Sequence, residues 1–86
     1  MEIQGKIIHI FDEKRINDKL TIREFVVNTG GTYPQEVIMQ LANKNCDKII
    51  GKHVGDEITA YINIRGRKAT NGEKKWFNTI EAWRID

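Results

Sequence analysis

Residues 43–67 read NKNCDKIIGKHVGDEITAYINIRGR, and this stretch decides the architecture. Its first eight residues suit one short helix, with Asn43 or Asn45 as the cap, since a short polar side chain can bond the first free amides. Gly51 ends that helix, and Gly55-Asp56 turns the chain into a strand. Residues 57–67 then alternate with period two. Ile58, Ala60, Ile62 and Ile64 fall on one face, and Thr59, Tyr61, Asn63, Arg65 and Arg67 on the other.

Period two also governs the flanks. Residues 2–11 form an Ile-rich strand, in which Gly5 predicts a bulge or tight bend. Residues 12–19 (DEKRINDK) read as a mixed-charge loop. Residues 20–29 are β-branched and aromatic, a second strand. Gly30-Gly31-Thr32 is a turn, and residues 33–42 a third strand, with Pro34 near its entry. Beyond residue 67, Asn71-Gly72 is a strong hairpin signal, and residues 74–85 form the last strand. There Ile80 and Ala82 share a face while Trp83 and Ile85 break the parity, which a bulge would reconcile. Three strands, a short helix and two strands is the layout of an all-β five-stranded OB-fold, a Greek-key barrel. An SH3-like barrel or an open antiparallel sheet has the same element count. With 86 residues, no linker and no repeat, a single domain over 1–86 is expected.

Composition narrows the function. Hydrophobic residues make up 40% and charged residues 30%, which suits a folded chain. The apolar runs are too short to cross a bilayer, and the N-terminus lacks an apolar signal stretch, so neither a membrane nor a secreted protein is expected. One cysteine allows no intrachain disulfide and fits a reducing cytoplasm. Two histidines and one cysteine are too few for an ordinary zinc site, so no metal and no cofactor is expected. No catalytic constellation stands out, and an enzyme is not expected. His9 reads as structural, His53 as an exposed loop residue and Cys46 as a small buried one. Asp56 and Glu57 point to opposite faces, so they make no acid/base pair.

Charge is unevenly spread. Residues 1–43 hold five basic and six acidic side chains, and residues 44–86 hold nine and six. Arg65-Gly-Arg-Lys-Ala-Thr-Asn-Gly-Glu-Lys-Lys75 carries five basic residues against one acidic, and Trp76-Phe77 follow directly. A basic cluster beside aromatics is the footprint of a nucleic-acid surface, although a solvated hairpin tip has the same composition.

Arg23-Glu-Phe-Val-Val27, Tyr33-Pro34, Val54-Gly-Asp-Glu57, Asn63-Ile-Arg-Gly-Arg67 and Ala82-Trp-Arg-Ile85 occur in this order. Together they resemble a small bacterial family classed as a domain of unknown function, which is similar to a trimmed bacterial single-stranded DNA-binding protein (SSB). The resemblance covers nearly the whole chain and rests on order and spacing. SSB proteins commonly place a base-stacking Trp-Gly pair before the helix, whereas Ala42-Asn43 stand here. They also carry an acidic-tipped tail that recruits partners. This sequence stops at Asp86, so recruitment by such a tail is not expected.

A single-strand binder needs cations for phosphates and flat rings for bases. Arg65, Arg67, Lys68, Lys74 and Lys75 are the candidate phosphate contacts, with Arg23 adding charge from the second strand and Lys14 and Arg15 from the first loop. Asp12, Glu13 and Asp18 are expected to neutralise the last two. Trp76 and Tyr61 are the candidate stacking residues, although in a domain this size Trp76 and Trp83 are more often core or barrel-rim residues than stacking platforms. Phe11 and Phe25 read as core, and Tyr33 as packing in a turn. The expected activity is non-enzymatic binding of single-stranded DNA, or RNA of the same form, by a homodimer or homotetramer. The alternative is a protein-interaction module that uses Trp83, Tyr61 or a strand edge and binds no nucleic acid.

Overall fold

The computed structural model describes residues 1–69 and 75–86. The order is β1 (Glu2–Ile10), β2 (Lys14–Asn17), β3 (Leu20–Asn28), β4 (Glu36–Ala42), a 3-10 helix (Asn43–Ile49), β5 (Glu57–Lys68) and β6 (Trp76–Ile85). The strands close in a ring, β1-β5-β6-β4-β3 and back to β1, with β2 lying along the free part of β3. This is an OB-fold barrel. Among the described residues, no helix is long and apolar enough to cross a membrane.

The alternation written in the sequence fills the barrel. Ile7, Phe25, Val27, Met39, Leu41, Ile58, Ala60, Ile62 and Ala82 point inward and are buried, and Cys46 and Ile49 of the 3-10 helix join them. The Cys46 thiol donates to the Leu41 carbonyl at 3.5 Å. Burial raises its pKa above the ordinary value, as expected for an inert thiol.

Several expectations are corrected. Residues 12–19 are not a plain loop, because β2 pairs with β3 in a hairpin. The Asn17 carboxamide accepts the Lys19 amide at 2.8 Å and tightens its turn, while Arg15 pairs with Asp18 at 3.0 Å. All four β2 residues are exposed, so no apolar alternation announced the strand. The third predicted strand starts at Glu36 rather than residue 33. Tyr33 and Pro34 instead lie in a loop closed by Thr29 and Gln35, whose backbones bond at 2.9 Å. Tyr33 is exposed and packs into no turn. Phe11 is also exposed, just past the end of β1, with the His9 ring edge-on at 4.4 Å.

The helix carries no side-chain cap. Asn43 sits at φ 52° and its carboxamide accepts the Thr21 amide at 3.0 Å, tying the helix entry to β3. Gly51 (φ 86°) and Gly55 (φ 100°) do turn the chain as their positions suggested. The bulge called for by Trp83 is present. Tyr61 pairs with Arg84 and Ile62 with Ala82, leaving Trp83 as the extra residue, so that both Ala82 and Ile85 reach the core. The Asn71-Gly72 signal lies outside the described residues.

Gly5 marks neither a bulge nor a bend. The irregularity in β1 falls later, at Ile8, between the Ile7↔Val27 and His9↔Val26 pairs. Gly5 is where β1 changes partner, from β5 on residues 2–6 to β3 on residues 6–10. A Cβ at Gly5 would overlap the Asn28 carbonyl and come within 2.6 Å of Val27 Cγ1. Gly5→Ala is therefore expected to destabilise the domain by about 2–3 kcal/mol, as for other overpacked sites. A shift of the urea midpoint to lower concentration at constant slope would register this, and an unchanged midpoint would show that β1 can yield.

Candidate nucleic-acid interface

The β5–β6 hairpin outruns the barrel. Every residue from Asn63 to Lys68 is exposed, as are the first three of β6. Ile64 keeps the inward alternation yet is 57% exposed, because the barrel core ends at the Ile62↔Ala82 pair. The two strands continue as a paired arm to the Ala69–Lys75 backbone bond at 2.8 Å.

The arm overhangs the outer face of β4 and the start of β3, enclosing an open cleft of about 860 Å³. Leu20, Gln40 and Ala42 line it from the sheet, and Arg65, Arg67, Phe77, Thr79 and Glu81 from the arm. Strand alternation explains the grouping. Arg65 faces Thr79 and Arg67 faces Phe77 across the ladder, so these four side chains share one face. Lys75 continues the alternation of Phe77. Arg65 forms an ion pair with Glu81, Nε to Oε2 3.2 Å. Among the described residues, Arg67 has no such partner.

The candidate residues therefore separate. Arg65 and Arg67 line the cleft, and Lys75 stands on the same face. Lys68 and Trp76 face each other on the back of the arm, where Trp76 is 71% exposed. Phe77, 49% exposed, lines the cleft, whereas the candidate stacking residue Trp76 does not. The clue was parity: Phe77, not Trp76, falls opposite Arg67. Arg23 is not in the cleft. It lies on the inward alternation of Phe25, and its Nε donates to the Phe11 carbonyl at 3.0 Å, so it fastens the chain after β1. Lys74 lies outside the described residues.

Tyr61 is also away from the cleft. It lies 5.7 Å from the Trp83 ring, and the Arg84 guanidinium stands 5.0 Å above it. Arg84 Nε donates to Asp86 Oδ1 at 2.9 Å, and that bond holds the Asp86 carboxyl below the ordinary carboxylate range. Burial among these neighbours, and then the Asp86 charge, push the Tyr61 phenol above its usual value. The phenolate would place a second negative charge beside Asp86, so Asp86→Asn is expected to lower the Tyr61 pKa. Absorbance titration in a Tyr33→Phe background, which leaves one phenol, would show this; an unmoved midpoint would exclude Asp86 as a cause.

Ala42 and Asn43 stand where SSB proteins commonly have Trp-Gly. The φ of 52° at Asn43 is a conformation that glycine adopts freely and asparagine tolerates, and Ala42 offers no ring for stacking. Residues 2–86 match the family model described as "Domain of unknown function (DUF3127)". The N-terminal domain of PriB protein from Thermoanaerobacter tencongensis, a dimeric structure, superimposes with a TM-score of 0.70 at 13% identity, over 100% of this chain and 91% of that one. The mitochondrial single-stranded DNA-binding protein Rim1 of S. cerevisiae does so with a TM-score of 0.68 at 13% identity, over 100% and 90%. At such identities the likeness establishes the shared fold. The match over residues 2–86 shows that this chain belongs to the DUF3127 family, a domain of unknown function, here folded as an OB-fold barrel.

Proposed function

We propose that this domain is a non-enzymatic binder of single-stranded nucleic acid, DNA in the first instance, held in the cleft under the β5–β6 arm. The observation that carries the reading is the shared face of the arm, where Arg65, Arg67 and the Phe77 ring line the cleft beside the outer surface of β4, with Lys75 proposed as a further cation. Cations at this spacing track a phosphate backbone, and the ring offers a stacking surface worth about 1–3 kcal/mol per base. Lys68 and Trp76, on the back of the arm, extend the contact beyond the cleft, and Lys74 remains a proposed phosphate contact. The likeness to Rim1 supports the reading at the level of the fold.

Labelled oligo-dT followed by anisotropy tests it. Affinity is expected to fall steeply between about 50 and 200 mM salt, because each neutralised phosphate releases counterions. Arg67→Glu should abolish measurable binding, and Phe77→Ala should weaken it roughly fivefold or more, the loss of one stacked base. Lys68→Glu should cost less than Arg67→Glu. Absence of binding at tens of micromolar protein in low salt would sink the proposal.

A cleft served by one short arm covers few nucleotides, so a homodimer or homotetramer is proposed as the working form. The dimeric PriB domain supports this. Light scattering should give at least twice the 10.0 kDa chain mass, and a clean monomer would refute it.

One observation favours a second reading, a protein-docking module. The Tyr61–Trp83 pair, with Trp83 43% exposed, lies away from the cleft on a surface where Arg84 and Asp86 neutralise each other. Binding through that surface would be nearly insensitive to salt.

A further inference from the structure

Beside the cations of the arm, the cleft carries hydrogen-bond acceptors, beginning with Glu81 at the foot of the arm. On the sheet, the register pairs Glu24 with Gln40 and Gln40 with Glu81, so these three outward side chains form a row across β3, β4 and β6. Neighbouring strands lie about 4.8 Å apart, so the row is about 10 Å long. The Glu81 side chain is only 16% exposed, and Glu24 and Gln40 are half-buried. The row offers two carboxylates, which only accept hydrogen bonds, and one carboxamide.

A phosphate is attracted to Arg67, further out on the arm, and repelled by the Glu81 carboxylate at its foot. A strand in the cleft therefore runs its backbone along Arg65, Arg67 and Lys75 and turns its bases toward the row. There the bases meet acceptors. Cytosine presents an N4 amino donor to them, whereas thymine presents the O4 acceptor at the equivalent place. Arg65 pairs with Oε2 of Glu81 at 3.2 Å, and the carboxylate keeps further acceptor capacity.

Resting on the nucleic-acid reading above, we infer that this face selects bases, favouring cytosine-rich single strands over thymine-rich ones, with Glu81 as the discriminating acceptor. Gln40, which also lines the cleft, meets a neighbouring base. Arg65 acts here as a positioning residue as well as a phosphate contact.

The test compares fluorescein-labelled oligo-dC and oligo-dT of about 12 nucleotides, a length within the usual site range. Anisotropy is read slightly above neutral pH, where cytosine is uncharged. The native protein is expected to bind oligo-dC at least about fivefold more tightly, the discrimination of a modest base-edge contact. Glu81→Gln should bring the two affinities together, mainly by strengthening oligo-dT binding, since the carboxamide can donate to O4 and the floor loses a negative charge. Equal affinities, or a thymine preference, in the native protein would overturn the inference while leaving the nucleic-acid reading intact. So would an unchanged dC/dT ratio in a folded Glu81→Gln variant. Failure to bind either strand would remove the nucleic-acid reading itself, and this inference with it.

Discussion

Closure of the barrel depends on one strand serving two neighbours. β1 gives residues 2–6 to β5 and residues 6–10 to β3. A strand can change partner over so short a distance only if its backbone can press against the strand it is leaving room for. Gly5 makes that approach possible, because the Asn28 carbonyl and Val27 side chain occupy the space a Cβ would need. On the opposite side, the ring closes through a parallel contact at Gln40↔Glu81. The parallel closure brings β4 beside β6, and the arm's overhang and the floor beneath it follow from that.

The bulge at Trp83 is the second device. Without an extra residue in β6, Ala82 and Ile85 could not both face inward, since they are three positions apart and a strand repeats every two. The bulge lets both enter the core and expels Trp83 toward Tyr61. The same register fixes Glu81 outward beside Gln40, with Thr79 and Phe77 following on that face. A packing requirement inside the barrel thus sets which side chains line the cleft outside it.

Electrostatically the cleft is arranged rather than simply basic. The Arg65–Glu81 pair has one exposed partner and one largely covered partner. Pairs with an exposed member contribute about 0–1 kcal/mol to stability, so this one adds little to holding the fold. Arg23 illustrates the contrary case. Its charge suited a binding surface, yet its place on the inward alternation commits it to the Phe11 carbonyl. The basic surface belongs to the arm, with the glutamates beneath it.

The sequence by itself determined the strands with an apolar face, the helix ended by Gly51, the bulge at Trp83 and the basic character of the Arg65–Lys75 stretch. Each is a local or periodic signal, carried by side-chain alternation, glycine conformation or charge. β2 escaped notice because a strand with no buried face has no such alternation. The role of Gly5 escaped because close approach involves β3, far away in the chain. The choice of Phe77 over Trp76 required the cross-strand register, and the inward placement of Arg23 required knowing where the barrel ends. The row Glu24-Gln40-Glu81 was decided only by the tertiary structure. Its members are brought together by barrel closure, which relates residues on three strands through contacts that no local pattern encodes.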